Sequence, residues 1–385
     1  MGEDTRLDFI NGCKDLLDKV VVFGAGEYGC KTIAVLKHYG VEVISCYDNN
    51  KSKIGKLNFK NVNVCFPEYT EYPVIISVLN KEIQEKIYNQ LKKLECNKIF
   101  TINDRTLNIE IQRLPDKEFL NLNFFLKFHR EMDWNNPKTF NEKLQWLKLY
   151  DRNPMYTKLV DKVAVKDYVV QIIGKEYVIP TIAVWNKTCD IDFKNLPEKF
   201  VIKCNHDSGN IIIVNKDDCN IEEIKKCLDK TLNNDYYLFG REWPYKNVQR
   251  KIFAEQYLVD ESGCELIDYK LMCFNGQVKC SFTCSNRLGK EGLYVNFYDR
   301  KWQPMPFERH YPRKPKEIQK PVSYEKMVEL AEILSKGIPF VRVDFYQIDE
   351  KPLLGELTFY PGNGMEEFTP DKWDYCLGSW LNLPG

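Results

Sequence analysis

Histidine is scarce in this 385-residue chain, and closely paired cysteines are missing. The chain has four histidines, at positions 38, 129, 206 and 310, and its 14 cysteines form no CxxC pair. A structural zinc site usually needs such pairs or a histidine at matching spacing, so we expect none. The scattered thiols are predicted to be reduced and mostly buried, because disulfides belong to oxidising compartments.

The chain also lacks a net charge and a long apolar run. Lys plus Arg and Asp plus Glu each total 55, a balance that argues against a general nucleic-acid binder. No apolar stretch approaches the roughly 20 residues that span a bilayer, and the first residues lack the basic start and apolar stretch of a signal peptide. We therefore expect a cytoplasmic protein without a membrane span or a nucleic-acid partner. Its length suits two or three domains.

Strand and helix signals alternate over the first hundred residues. The run VVVFGAG (20–26) is typical of a buried parallel strand that ends in glycines. Helical spacing follows in EYGCKTIAVLKHYG (27–40). Further strands are predicted at VEVISCYD (41–48), PVIISVL (73–79) and KIFTIN (98–103). This order predicts a small parallel sheet in a Rossmann-like domain over residues 1–104.

A glycine pattern marks the turn after the first strand. Gly24, Gly26 and Gly29 form GxGxxG between a strand and a helix, where backbone N–H groups can approach a phosphate. Asp48 lies about 20 residues further on, where a ribose-binding acid is expected. These four residues are predicted to bind a nucleotide; the alternative is that the glycines serve packing alone. FGAGEYG and CYDNNKSKIGK resemble nucleotide-sugar-binding domains of bacterial polysaccharide-modifying enzymes, which implies a UDP-sugar ligand.

The chain changes character after residue 104. Residues 105–150 are rich in aromatic residues with helical spacing, and we predict a helical linker that joins a larger domain over residues 151–385. In that domain, apolar runs on both sides of Asn275–Gly276 and of the turn IDEKP (348–352) predict two β-hairpins.

A lysine and an acid in two further strands indicate nucleotide contacts. Lys203 lies in the strand FVIKCN and is followed by the turn HDSGN, so a cation stands beside backbone N–H groups that can wrap a polyphosphate. His206, Ser208 and Gly209 belong to that turn. Glu255 in FAEQYLVD could accept the amino group of adenine. The alternatives are a lysine and a glutamate that simply face solvent.

Two acids lie in the strands of the last hairpin. With antiparallel pairing around IDEKP, Asp344 and Glu356 come side by side with Arg342 near them. Facing carboxylates raise each other's pKa unless a positive group lies between them. Mg²⁺ takes hard oxygen ligands and shares its shell with phosphates, so we predict a magnesium site here. The alternative is a pair of surface acids on a solvated face.

The order of these segments resembles the ATP-grasp superfamily, and in particular its TupA-like members. The segments NPKTFNEKLQWLKLYDRNP, DYKLMCFNGQVK and LGELTFYPGNG carry the resemblance, which covers roughly residues 120–385. It implies an α/β plus α+β fold class, in which an ATP-grasp fold of two α+β lobes follows the Rossmann-like sheet. It also implies ATP and Mg²⁺ as cofactors.

The resemblance implies roles for residues at matching positions. Those that would contact ATP are Lys162 and Lys203 on the phosphates, Glu255, Tyr257 and Leu258 on adenine, and Glu265 or Asp268 on the ribose. Those that would stabilise the γ-phosphate and an acylphosphate are Lys270, Arg287 and Arg342. Asp344 and Glu356 match the Mg²⁺ ligands. Many ATP-grasp ligases have Glu-x-Asn at this strand, whereas this chain has Glu356-Leu357-Thr358, so the third ligand is expected to be Thr358 or Asn363.

The implied activity is that of an ATP-dependent carboxylate–amine ligase. A carboxylate attacks the γ-phosphate of ATP and becomes an acylphosphate, and an amine then displaces phosphate to give an amide. The expected substrates are an amine or amino acid and a carboxylate such as the uronic acid of a nucleotide sugar, in capsular or cell-wall polysaccharide biosynthesis. Two alternatives stay open: a small-molecule phosphotransferase on the same scaffold, and a non-catalytic nucleotide-binding scaffold of polysaccharide assembly.

Overall fold

The chain divides into two compact units, with the boundary between Asp133 and Trp134. The structure, a computed structural model, describes residues 18–259, 266–286, 292–314 and 317–384. Within these ranges, no helix combines the length and the apolar character needed to cross a membrane. Most of the described cysteines are buried, as predicted.

The first unit is built on a largely parallel sheet. Its strands are β1 (Lys19–Phe23), β2 (Glu42–Tyr47), β3 (Leu57–Asn58), β4 (Val62–Cys65), β5 (Val74–Ile76) and β6 (Ile99–Thr101). Its helices are α1 (Glu27–His38), α2 (Lys81–Lys93), α3 (Asp104–Arg113) and α4 (Asp116–Phe128). The strand order is β3-β4-β2-β1-β5-β6, with β3 and β4 antiparallel and the other pairs parallel. The predicted small parallel sheet is confirmed.

Apolar residues explain why β1 and α1 pack together. Val20, Val21 and Val22 are almost fully buried, as expected for a strand that is covered on both faces. The α1 helix buries its apolar residues from Ile33 to Leu36. Between β1 and α1, Gly24 has a φ of +116°, which residues with a side chain rarely adopt. The sharp turn into α1 therefore depends on this glycine.

The segment 105–150 is helical, and its helices are divided between the two units. α3 and α4 belong to the first unit, whereas α5 (Phe140–Tyr150) belongs to the second. α5 begins with a capping box: the backbone N–H of Glu142 donates to the Thr139 hydroxyl, and the backbone N–H of Thr139 donates to the Glu142 carboxylate. The segment therefore closes one compact unit and opens the next.

The second unit contains two larger antiparallel sheets. Its remaining helices are α6 (Met155–Val160), α7 (Ala164–Ile172), α8 (Ile221–Asn233), α9 (Tyr236–Gly240), α10 (Tyr324–Leu334) and α11 (Lys372–Trp380). Its strands are β7 (Thr181–Trp185), β8 (Lys199–Cys204), β9 (Ile211–Asn215), β10 (Ile252–Gln256), β11 (Asp268–Phe274), β12 (Gln277–Ser285), β13 (Tyr294–Asp299), β14 (Glu308–Arg309), β15 (Phe340–Ile348), β16 (Lys351–Thr358) and β17 (Phe368–Thr369). The sheets have the orders β7-β10-β8-β9 and β13-β12-β11-β15-β16, and β14 pairs with β17.

Both predicted hairpins are present in the five-stranded sheet. Asn275 and Gly276 join β11 to β12 with φ values of +49° and +81°, the signs that a type I′ turn requires. β15 and β16 pair antiparallel around the predicted turn. The ring of Phe140 from α5 packs on Phe274 and Phe340, with centroids 5.6 and 4.9 Å away. The expected fold class, a small parallel sheet followed by two α+β lobes, is confirmed.

We predict that Gly29→Ala destabilises the first unit. A Cβ at Gly29 would lie well inside van der Waals contact of the Gly24 carbonyl oxygen, which is backbone and cannot move aside. We expect a loss of about 1–3 kcal/mol in the free energy of unfolding, measured by urea denaturation. Gly26→Ala is the matched control, because the nearest atom to its Cβ would be the Lys53 amino group at 3.9 Å. Equal stability of wild type and Gly29→Ala would contradict this packing.

Candidate active site

The two predicted metal-binding acids lie directly opposite each other in the β15–β16 hairpin. Asp344 and Glu356 are register partners, as the sequence pattern predicts. Asp344 is buried, whereas the side chain of Glu356 is 33% exposed. The hairpin therefore holds one acid inside the sheet and presents the other to an opening.

The Arg342 guanidinium joins the oxygens of this pair. Its Nε donates to Asp344 Oδ1 at 2.7 Å. Its Nη2 donates to Asp344 Oδ2 at 2.7 Å, to Glu356 Oε1 at 3.1 Å and to Thr358 Oγ1 at 3.0 Å. The three residues predicted to bind the metal thus direct oxygens to one point, which a positively charged nitrogen occupies here.

A second cation approaches the same acid from β11. Lys270 is the register partner of Asp344 and donates to its Oδ2. Asp268 Oδ2 lies 3.5 Å from the Lys270 amino group. Burial alone would raise the pKa of Asp344, but Arg342 and Lys270 hold this pKa at about 2. Asp344 is therefore a carboxylate at any pH at which the protein would work.

The four-stranded sheet carries a separate charged cluster. Lys203 on β8 forms an ion pair with Glu255 on β10, and Lys166 from α7 donates to the other oxygen of Glu255 at 2.9 Å. Burial would raise the pKa of Glu255, yet the two lysines lower it. Burial also lowers the pKa of Lys166 against the opposing effect of Glu255. The cluster has one more positive than negative side chain, which favours an anionic ligand.

Apolar side chains extend the face of the sheet that carries Lys203. Ile211 on β9 is the register partner of Lys203, and Ile213 is that of Val201. Ile211 and Ile213 are 52% and 53% exposed. Register partners lie on the same face of a sheet. This face therefore combines a cationic end with an exposed apolar strip.

Hydrogen bonds within the protein fix part of the turn that follows β8. Lys162 donates to the carbonyl oxygen of Asp207. His206 is buried, and its Nε2 lies 3.3 Å from the carbonyl oxygen of Asn234. Ser208 and Gly209 are exposed, and Gly209 has a φ of +90°. The structure thus leaves Ser208 and Gly209 open to a ligand and turns His206 into the protein.

The other residues predicted to belong to the site are placed as follows. Tyr257 and Leu258 are half-buried and follow β10 directly, and the Lys199 amino group lies 4.0 Å from the Tyr257 ring centroid. Glu265 and Arg287 lie outside the described residues. The side chain of Asn363, the alternative metal ligand, accepts a hydrogen bond from Lys148.

The glycine turn of the first unit is engaged with its own acid. Asp48 accepts hydrogen bonds from the backbone N–H groups of Ala25 and Asn50, both at 2.8 Å, and Lys53 lies 3.2 Å from it. Burial would raise the pKa of Asp48, but these hydrogen bonds lower it. Gly29 packs against the backbone of Gly24. Asp48 and Gly29 therefore stabilise the turn itself. That they also contact a nucleotide stays a prediction.

A cavity of about 460 Å³ opens beside the Arg342 cluster. Arg342, Glu356 and Thr358 line it. Tyr236, Glu242, Tyr245 and Tyr360 also belong to its wall. Glu242 is buried, and burial raises its pKa against the effects of Lys148 and Arg342. The cavity therefore brings a second acid close to the predicted catalytic residues.

Sequence reasoning missed three charged residues near these clusters. Lys166 lies four residues after Lys162, a spacing that could have shown it as a second cation. Glu242 is an acid among the aromatic residues of YYLFGREWPY, which was also a usable signal. Nothing in the sequence marks Lys148, because α5 buries it only when the second unit folds.

The candidate metal ligands are the oxygens of Asp344, Glu356 and Thr358. Among the described residues, no group of three or more His, Cys, Asp or Glu side chains is arranged to hold a metal ion. The set at Arg342 has two carboxylates and one hydroxyl. All three are hard oxygen donors, the type that Mg²⁺ prefers.

Comparison with known proteins identifies a matching family. A family model described as TupA-like ATPgrasp matches residues 142–382. No curated protein matches the chain. Similar solved structures include an L-amino acid ligase from Bacillus licheniformis, with 11% identity over 90% of this chain and 69% of that one and a TM-score of 0.34. A D-alanine–D-alanine ligase from Helicobacter pylori has 13% identity over 95% of this chain and 100% of that one, with a TM-score of 0.35.

We predict that Asp344→Asn is far more destabilising than Glu356→Gln. Loss of the buried carboxylate takes from Arg342 and Lys270 the acid that both contact most closely and leaves them, among the described residues, only Glu356 and Asp268. We expect this to cost about 3–5 kcal/mol in the free energy of unfolding. Glu356 is partly exposed and keeps an oxygen acceptor as glutamine, so we expect less than about 1 kcal/mol. Urea denaturation at pH 7 measures both values.

A comparison of wild type with Asp344→Asn also tests how the stability depends on pH. Because the folded pKa of Asp344 is about 2 and the usual value is about 3.9, its contribution is fully present above pH about 4 and is lost as the pH falls towards 2. The stability difference between wild type and Asp344→Asn should therefore shrink over that range. A constant difference would show that the charge of Asp344 is not responsible.

Proposed function

Because the chain belongs to the TupA-like ATP-grasp family, we propose that it is an ATP-dependent carboxylate–amine ligase that works through an acylphosphate. The observation that carries the proposal is the meeting of Asp344, Glu356 and Thr358 oxygens at the Arg342 guanidinium, beside an open cavity. Phosphoryl transfer needs charge neutralisation and positioning more than a protein nucleophile. This cluster offers both.

ATP is proposed to bind on the face of the four-stranded sheet that carries Lys203. Lys203 and Lys162 would contact the phosphates, with Lys166 as a further cation held by Glu255. The exposed strip of Ile211 and Ile213 suits the apolar face of a nucleobase. Ser208 and Gly209 offer backbone groups from an exposed turn.

Magnesium is proposed to bind at the oxygens of Asp344, Glu356 and Thr358. They fit the ion, because all are hard oxygen donors and they already surround a positive group. When bound, Mg²⁺ would neutralise phosphate charge during the transfer. Without the ion, Arg342 and Lys270 hold Asp344 ionised. With the ion bound, the Arg342 guanidinium would have to leave the point that the three oxygens share, and Arg342 and Lys270 would orient the phosphoryl group and the acylphosphate.

The proposed reaction has two steps. A carboxylate oxygen of the substrate bonds to the γ-phosphorus, and the bond between this phosphorus and the β–γ bridging oxygen breaks, which releases ADP. The nitrogen lone pair of a neutral amine then attacks the acyl carbon, and the carbon–oxygen bond to phosphate breaks. Phosphate leaves and the nitrogen loses a proton, so the products are an amide, ADP and phosphate.

The carboxylate substrate is proposed to be a uronic acid of a nucleotide sugar, used in capsular or cell-wall polysaccharide biosynthesis. The first unit would bind the nucleotide portion at the glycine turn. No described side chain caps the first turn of α1 after Gly26, and the Lys53 amino group lies near this glycine. Backbone N–H groups and a lysine together suit a phosphate. The reaction is proposed to take place in the cytoplasm, because it consumes ATP.

We predict that steady-state ADP release by the purified protein requires both a carboxylate and an amine, because the carboxylate alone supports only the first step. A coupled ADP assay that crosses nucleotide-linked uronic acids with amines measures this. With hydroxylamine in place of the amine, a carboxylate-dependent hydroxamate should form, because hydroxylamine traps an acylphosphate. ADP release with a stably phosphorylated product and no hydroxamate would show a phosphotransferase instead, and ATP binding without turnover would show a non-catalytic scaffold.

A variant of the nucleotide cluster tests the ATP site. Lys203→Met should lower the rate of hydroxamate formation by about 100-fold, the usual size of effect for a group that stabilises transition-state charge. Lys225→Met is the matched control, since Lys225 lies on α8 of the same lobe and pairs only loosely with Glu222, at 3.8 Å. Unchanged activity of Lys203→Met would remove this lysine from the site.

A further inference from the structure

We propose that Glu242 and the tyrosine rings beside it bind the positively charged amino group of the acceptor substrate. This amine subsite, defined as Glu242, Tyr236, Tyr245 and Tyr360, rests on the proposed ligase function and names the chemistry of its second substrate. It would take a small primary amine or the amino group of an amino acid as the ammonium ion. This ion would pass one proton to the Glu242 carboxylate before its nitrogen lone pair attacks the acyl carbon.

The position of Glu242 is the first support. Its residue is 4% exposed, yet it lines the cavity. Among the described residues, no hydrogen bond to the Glu242 carboxylate is found, whereas Asp344 and Glu255 each receive two or more. A largely buried carboxylate that receives no hydrogen bond from the protein is costly to ionise, because its charge has lost much of its hydration. A ligand that brings a positive N–H donor into the cavity would remove that cost.

The nearby buried lysine does not fill this role. Lys148 donates to the carbonyl oxygens of Gly240 and Asn363, at 2.9 and 2.8 Å, and to the side-chain oxygen of Asn363. Its amino group is therefore committed to three oxygens, and no ion pair with Glu242 within 4.0 Å is found among the described residues. Burial still raises the pKa of Glu242 in spite of Lys148 and Arg342. The charge of Glu242 is thus only partly compensated by the protein.

Aromatic rings supply the second half of an ammonium site. Tyr236 and Tyr245 pack edge to face, with ring centroids 4.6 Å apart and planes at 60°. Both line the cavity with Tyr360, which is buried. The faces of such rings attract cations, and the attraction grows as the site is shielded from water. A carboxylate next to several rings therefore selects a cation over a neutral group.

The location of this subsite relative to Arg342 completes the inference. Arg342, Glu356 and Thr358 line the same cavity, so an amine held at Glu242 would lie in one chamber with the proposed acylphosphate. A volume of about 460 Å³ is at the small end of ligand sites, which run from about 300 to 1,000 Å³. A carboxylate substrate is disfavoured next to Glu242, because the two carboxylates would repel each other. The acid substrate would then lie next to Arg342.

The two half-reactions separate the role of Glu242 from that of the catalytic cluster. Hydroxylamine is uncharged at neutral pH, so it should not need an ammonium site. We expect Glu242→Gln to alter hydroxamate formation and the KM for ATP and for the carboxylate far less than it alters the KM for a charged amine. In amide formation with glycine, L-alanine, L-lysine, ethanolamine or methylamine, whichever the wild type accepts, the KM for the amine should rise about 10- to 100-fold, as for the loss of a hydrogen bond to a charged group.

Glu222→Gln removes one negative charge from an exposed position and serves as the control, with wild-type kinetics expected. Tyr236→Leu leaves the buried charges in place and should also raise the KM for the amine. If Glu242→Gln does not fold, this variant tests the proposal in its place. An unchanged KM for the amine in both variants would overturn the proposal. So would a parallel loss of hydroxamate formation, which would place Glu242 in the first step.

A binding measurement separates this proposal from the ligase function itself. If the wild type forms no hydroxamate with any carboxylate, the proposed function fails, and the same five amines are titrated calorimetrically into the full chain. Binding to wild type and Glu222→Gln but not to Glu242→Gln would support the subsite without the ligase. Binding to all three, or to none, would overturn it.

Discussion

The contact between the Arg342 guanidinium and the Asp344 carboxylate allows the charged side chains of the five-stranded sheet to lie side by side. β15 lies between β11 and β16, so Asp344 faces Lys270 on one side and Glu356 on the other. Two opposed acids at this position would repel each other in the absence of a cation. Arg342 satisfies both acids and the Thr358 hydroxyl with one planar group, which a lysine could not do with the same geometry.

In the four-stranded sheet the charges are reversed, because a buried carboxylate neutralises neighbouring ammonium groups. Here one buried acid, Glu255, lies between two lysines, Lys203 and Lys166. Both sheets therefore carry a cluster of paired charges. In the five-stranded sheet an arginine lies among oxygen atoms, and in the four-stranded sheet a carboxylate lies between ammonium groups. A metal-bound polyphosphate carries both signs of charge, so each cluster has a counterpart of opposite charge on the proposed substrate.

Glu242 differs from these paired acids in a way that bears on substrate choice. Asp344 and Glu255 have low pKa values because cations contact them directly. Glu242 has a raised pKa because burial outweighs more distant cations. Paired groups maintain the architecture of a site, whereas a buried group with incomplete pairing is available to a ligand. The proposed ligase needs such a group, since its second substrate arrives as an ammonium ion.

The local patterns of the chain were sufficient for much of the fold. Continuous apolar runs such as VVVFGAG and VEVISCYD predicted the parallel strands, Asn275–Gly276 predicted one hairpin, and the alternation around IDEKP placed Asp344 opposite Glu356. The pairing of Asp344 with Arg342 could be anticipated because residues two apart in a strand share a face. The division of residues 105–150 between two units could not, because helical spacing does not say which core a helix joins.

The amino-acid sequence by itself determined the order of strands and helices along the chain, the two hairpins and the position of two acids on neighbouring strands. All of these follow from periodicity and turn chemistry within short segments. Tertiary structure alone decided that Lys166 meets Glu255, that His206 turns inward, and that Lys148 and Glu242 are buried near one cavity. The physical reason is that burial and charge pairing depend on segments far apart in the chain. Glu242 and Arg342, for example, are separated by 100 positions and line one cavity only after their elements have packed.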